Sequence, residues 1–121
     1  VAFARTLRAP FMWMNRSKDK GITWSKQLSS NCTGECPQLL RHSSGVLIMG
    51  SRGYGIFMKT SIDEGRTWSQ EVRISLCSGM MGLMEMKDGR VMVVFHEAYR
   101  TPTRIRGHYM RVENDGTLVS A

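Results

Sequence analysis

Residues 46–49 read Val-Leu-Ile-Met and residues 91–95 read Val-Met-Val-Val-Phe, apolar at every position. Successive side chains of a strand point to opposite faces, so both runs predict strands covered on both sides. Around the first run, Cys36 to His42 is a candidate strand, and a turn at Ser43-Ser44-Gly45 leads into Val46–Met49. "GIFMKTS" (55–61) predicts a third strand, and "RTWSQEVRI" (66–74) a fourth with alternating residues. Helical spacing is absent almost everywhere.

The four-strand unit recurs. Trp24 and Trp68 are 44 residues apart, as are Gly21 and Gly65, and the same interval carries Gly45 onto Gly89. Separate landmarks that keep one register mark a structural repeat. The chain divides into a partial unit at 1–30 and units at 31–75 and 76–121, about two and three-quarter in all. A lone sheet exposes one face, whereas sheets stacked around an axis cover both. Four strands in roughly 40 to 45 residues suit a propeller blade. The fold class expected is all-β, a β-propeller or part of one. Its terminal units would present apolar faces, so a longer parent or self-association is expected to cover them.

The most regular part of the repeat is Ser-x-Asp-x-Gly-x-Thr-Trp, written at 17–24 and 61–68. The Asp carboxylate suits the amide groups of a turn, and Gly supplies a positive φ. Thr re-enters the strand and Trp lies over the turn or between sheets. This pattern resembles the Asp box of sialidases (neuraminidases) and related bacterial-neuraminidase-repeat propellers. The match is complete at Ser17, Asp19, Gly21, Thr23, Trp24 and at Ser61, Asp63, Gly65, Thr67, Trp68. A decayed third copy, "VENDGTLV" (112–119), keeps Asn114 and Gly116. The resemblance implies that the boxes are structural, lie away from the catalytic face, and belong to a six-bladed ring.

If the boxes mark one face, chemistry belongs on the other. The interval places Arg8, Arg52 and His96 at equivalent positions of successive units. In a propeller these form an arc around the axis, and guanidinium groups there suit a carboxylate ligand. Glu35, Ser78, Glu97, Arg104 and Arg106 fall on the same face. The resemblance implies further roles, because sialidases clamp the substrate carboxylate with three arginines and use a tyrosine nucleophile activated by a glutamate. "ECPQLLRHSSGVLIMGSR" (35–52) then gives Glu35 as the tyrosine's partner and Arg52 as a clamp residue. Arg106, or else Arg104, is another clamp candidate. "FHEA" (95–98) gives Glu97 as an arginine-orienting residue, with His96 beside it. "CSGMM" (77–81) carries no tyrosine where the family often has one, and no loop aspartate matches the general acid/base. Tyr54, Tyr99 and Tyr109 sit elsewhere.

Each of these residues also has an ordinary structural reading. Arg8 and Arg52 can be solvated strand ends, Glu35 a loop charge, and His96 a hydrogen-bonded strand-end histidine. "MMGLMEM" (80–86) reads as packing. The net charge of +7 favours anionic partners. Lys and Arg are scattered, however, which speaks against nucleic acid. No apolar run is long enough for a helical membrane span. Cys32, Cys36 and Cys77 with His42 make a weak metal pattern, so no metal and no cofactor is expected. The chain starts at Val1 without an apolar leader, as a processed or excised piece would. The sequence thus predicts a segment of a sialidase-like glycoside hydrolase acting on anionic glycans, inactive as this fragment alone. The resemblance implies an extracytoplasmic or secreted location. The alternative is a non-catalytic Asp-box propeller that binds protein or glycan.

Overall fold

The computed structural model describes residues 1–4, 11–76, 79–98 and 101–121, which form strands and connecting turns with no helix. Three antiparallel sheets follow one another along the chain. The first pairs β1 (Ala2–Ala4), β2 (Trp13–Asn15) and β3 (Leu28–Ser29) in that order. The second runs β4 (Glu35–Arg41), β5 (Leu47–Gly53), β6 (Gly55–Ser61) and β7 (Val72–Ser75). The third runs β8 (Met81–Glu85), β9 (Val91–Glu97), β10 (Arg104–Val112) and β11 (Leu118–Ser120). Neighbours within each sheet are antiparallel and sequential, so each sheet is a meander.

The apolar run 46–49 is covered on both sides because the second sheet lies between the other two. Ile48 faces the third sheet, in a cluster with Ile56, Met58, Met81, Val91, Val93, Phe95 and Met110. Its neighbour Met49 faces the first sheet, packed with Met12, Cys32, Phe3 and Trp68. In β9 the outcome differs from the expectation: Val91, Val93 and Phe95 are buried, while Met92 and Val94 are half-buried. Among the described residues no further sheet lies beyond that side of β9.

The fourth strand is shorter than its pattern suggests, starting at Val72 and not Arg66. The amide of Thr67 turns to Asp63 and cannot join the ladder. Ser69 nonetheless begins the pairing, donating its amide to the Thr60 carbonyl at 2.8 Å. The third unit departs from the 44-residue spacing at the same corner. Residues 98–103 separate β9 from β10 where Tyr54 alone joins β5 to β6, and β10 has 9 residues against 7 in β6, so the hairpin falls at 113–117. The acceptor there is Asp115, which binds the Thr117 amide at 2.9 Å; Asn114, which the decayed motif puts in the place of the box aspartate, does not hold that role.

Candidate functional site

Both copies of Ser-x-Asp-x-Gly-x-Thr-Trp, the boxes of the sequence pattern, fold into the same clip. Asp19 accepts from the Thr23 amide at 2.9 and 3.1 Å, the Thr23 hydroxyl at 2.5 Å and the Ser17 hydroxyl at 2.7 Å. Asp63 repeats this with the Thr67 amide at 2.9 and 3.1 Å, the Thr67 hydroxyl at 2.6 Å and the Ser61 hydroxyl at 2.7 Å. The serine oxygens in turn accept from the amides of Gly21 and Gly65, both at 2.8 Å. Gly21 (φ 92°) and Gly65 (φ 73°) sit in the left-handed region, where a side chain is strained. Both oxygens of each carboxylate are engaged by the turn, so neither Asp is available as a general acid.

The clips also fasten the first sheet to the second. Arg16, just past β2, donates to the Gly65 carbonyl at 2.7 Å and to the Glu64 carbonyl. This changes the tryptophan's role between copies. In the first box the Trp24 indole donates to the Gly21 carbonyl at 3.0 Å. In the second, Arg16 occupies the equivalent carbonyl, and Trp68 packs edge-on to Phe3 with ring centroids 5.5 Å apart. On the far side Ile62 packs against Gly116 of the third sheet's hairpin; a Cβ on Gly116 would lie 2.6 Å from the isoleucine methyl.

These hydrogen bonds, the Thr23 hydroxyl's first, hold the Asp19 carboxyl down to about 2. The Thr67 hydroxyl and amide hold Asp63 below the usual carboxylate range as well. A carboxylate whose folded pKa is depressed stabilises the fold above its unfolded value, roughly 4, and stops doing so as pH falls through the folded value. Thermal stability is therefore expected to fall between about pH 4 and about pH 2, followed by circular dichroism. Asp63→Asn should be less stable at pH 7 and lose less on acidification. A wild-type curve flat down to about pH 2 would contradict this.

Cross-strand register puts the predicted ligand residues at the other end. Leu47 pairs with Ser61 at the box end of β5 and β6, and Gly53 pairs with Gly55 at the opposite end. At about 3.3 Å per residue, roughly 20 Å of strand separates them. Glu35 and Arg52, predicted as functional partners, are directly opposite each other across β4 and β5. Their side chains form an ion pair at 3.4 Å, with Arg52 30% and Glu35 40% exposed. Arg52 Nε is buried and has no hydrogen-bond partner among the described residues.

Glu97 and Arg106 come together in the third sheet. Arg106 Nε lies 3.2 Å from the Glu97 carboxylate, whose residue is only 6% exposed. Arg104 lies across from Glu97 in the ladder and is exposed. His96 is at the end of β9, where its Nδ1 accepts from the Met80 amide at 3.1 Å. That bond fixes the ring with its proton on Nε2. His96 is thus engaged as a strand-end histidine by its first nitrogen, with the second left to other partners. Arg8 and Ser78 lie outside the described residues, as do Cys77 and Tyr99. His42, the weak metal candidate, is at the far end of β4 from Cys36. Its Nε2 meets the Gly89 carbonyl at 2.8 Å and its Nδ1 the Ser44 hydroxyl at 2.7 Å. Among the described residues no His/Cys/Asp/Glu group suits a metal.

A pocket of about 390 Å³ adjoins Arg52, and the sequence pattern alone does not single it out. Its walls are Arg52, Tyr54, Phe57, Glu71 and Arg73, together with Thr33 and Gly34. The signal in the sequence is Tyr54 between two glycines at the tip of the β5–β6 hairpin, where an exposed aromatic has no packing purpose.

Comparison with known protein families and with curated proteins returns no match. Among solved structures, the chain is similar to a protein of unknown function from Dyadobacter fermentans. The TM-score is 0.65 at 18% identity, over 97% of this chain and 45% of that one. At such identity the likeness speaks for the fold alone, and the chain spans under half the length of that neighbour.

Proposed function

We propose that the three sheets are consecutive blades of a longer, sialidase-like β-propeller, and that the Arg52 end binds the carboxylate of an acidic sugar. The observation that carries this reading is the division of labour between the ends of the second sheet. One end is locked by an Asp-box clip whose Asp, Ser and Thr side chains are all engaged by the turn. The other presents a guanidinium beside a carboxylate, both partly exposed. Arg52 keeps part of its surface free, so a substrate carboxylate can replace or join Glu35 on the planar fork. Glu35 has a complementary role. Within reach of Arg52, its carboxylate is placed to take a proton from a nucleophile supplied by another blade. In this reading the complete protein is a glycoside hydrolase for anionic glycans. A glycan-binding scaffold is the second reading, favoured by the existing Arg52–Glu35 and Arg106–Glu97 pairs, which already neutralise two of the arginines.

The test is calorimetric titration with an unsaturated sialic acid analogue that mimics the flattened transition state. Charge-assisted hydrogen bonds contribute about 1.5–3 kcal/mol, and Lys cannot reproduce the bidentate fork. Arg52→Lys should therefore bind about tenfold more weakly. Glu35→Gln should retain affinity and, in an active parent, lose turnover. Absence of binding by the wild type would end the sialidase reading. Unchanged affinity in Arg52→Lys would make the arginine a solvated strand end.

A further inference from the structure

The pocket beside Arg52 has a chemistry of its own. Phe57 forms its floor, 9% exposed and tucked under the hairpin tip, where the bare backbones of Gly53 and Gly55 let the ring approach. Arg73 lies directly across from Phe57 in the ladder, with its guanidinium 5.2 Å from the ring centroid. Stacking on an aromatic ring holds the guanidinium's planar fork of donors in place. Glu71, two residues earlier and also lining the pocket, supplies an acceptor. Tyr54 stands at the rim, 97% exposed, offering an aromatic face to anything that enters.

The charged walls are Arg52, Arg73 and Glu71, and Arg52 is already held by Glu35, which does not line the pocket. With Arg52 engaged by Glu35, the charges left facing the pocket are Arg73 and Glu71, one of each sign. The pocket offers fixed donors, a nearby acceptor and aromatic surface in one concavity. At about 390 Å³ it falls within the range of small-ligand sites. A ligand that matches must both donate and accept hydrogen bonds around its edge while presenting an apolar face. A sugar ring does this: its hydroxyls do both, and its axial C–H groups form a face suited to an aromatic ring.

We infer that this pocket is a binding site for a neutral pyranose, held between the Tyr54 ring and the side chains of Arg73 and Glu71. Arg73 donates to adjacent hydroxyls, Glu71 accepts from one of them, and Tyr54 covers the apolar face. Arg52 borders this pocket, but hexose binding here does not depend on the carboxylate reading at that arginine, since a neutral hexose carries no group for it to clamp.

The experiment is saturation-transfer NMR on the protein, titrated with D-galactose, D-glucose and N-acetyl-D-glucosamine, with acetate as a charged probe. Wild type should give a saturable signal for at least one hexose. Arg73→Ala should weaken it about tenfold, the effect of losing one or two hydrogen bonds. Tyr54→Ala should weaken it as well, and an amide spectrum recorded alongside separates lost contact from lost fold. Glu71→Gln serves as a second polar variant should Arg73→Ala perturb that spectrum. No saturable hexose signal, binding indifferent to Arg73 and Glu71, or acetate displacing the hexose would each overturn the inference. Binding of the acidic analogue with no hexose binding would overturn it while leaving the Arg52 reading intact.

Discussion

Trp68→Ala is expected to cost about 2–4 kcal/mol, the range for truncating a large, partly buried aromatic ring. The ring joins Phe3 to the small core of Met12, Cys32 and Met49, so its loss loosens the first sheet from the second. Trp24 occupies the matching place in the first box but is 49% exposed, and Trp24→Ala should cost well under half as much. Urea unfolding of both variants measures the difference. On the proposed reading, affinity for an acidic sugar at the Arg52 end should be unchanged in the folded fraction of each. Equal destabilisation by the two substitutions would contradict the role assigned to the Phe3–Trp68 contact.

The second large effect is at the opposite end. Gly55 opens β6 with φ at 151°, and a methyl group there would overlap the Ser75 carbonyl oxygen. Strained backbone costs about 1–3 kcal/mol and overpacking about as much again. Gly55→Ala is therefore expected to lower stability by roughly 2–5 kcal/mol. It should also displace the hairpin tip carrying Tyr54, and so impair the pocket. Gly45→Ala is the contrast: its φ is also positive, at 90°, but nothing lies within 4 Å of the added carbon. That variant should cost only about 1 kcal/mol, and thermal unfolding of the pair separates strain from collision. A Gly55→Ala protein as stable as Gly45→Ala would show that β7 yields easily at Ser75.

The parts of this molecule legible in sequence are those governed by local chemistry. β6 is readable at both ends because Gly55 opens it and the Ser61–Asp63 turn closes it. The boxes are readable because Ser, Asp, Gly and Thr satisfy one another within a few residues. β7 is shorter than its pattern because Thr67 and Trp68 have strand-like character, while the amide of one and the ring of the other are claimed by the clip and its neighbour. The third hairpin, at 113–117, lies within the stretch read as the decayed box but beyond the 44-residue interval. Residues 98–103 separate β9 from β10 where Tyr54 alone joins β5 to β6, and a fixed period cannot register such an insertion. The Glu35–Arg52 pair follows from strand alternation, which brings the start of β4 beside the end of β5. The Phe57–Arg73 stack does not, since it depends on the β6–β7 register, which shifts next to Ile56. Arg16 is silent in the sequence for a similar reason: its partners are carbonyls of the neighbouring box, and a backbone acceptor leaves no mark in the residue pattern.

On the proposed reading the two ends of the second sheet divide structure from binding, and amide chemical-shift mapping during titration with the unsaturated sialic acid analogue tests that division most directly. Shifts are expected to concentrate at Glu35 and at Arg52 through Gly55, with the amides of Gly65 and Thr67 in the box unmoved. Shifts centred on the box, or a spectrum unchanged throughout, would contradict it.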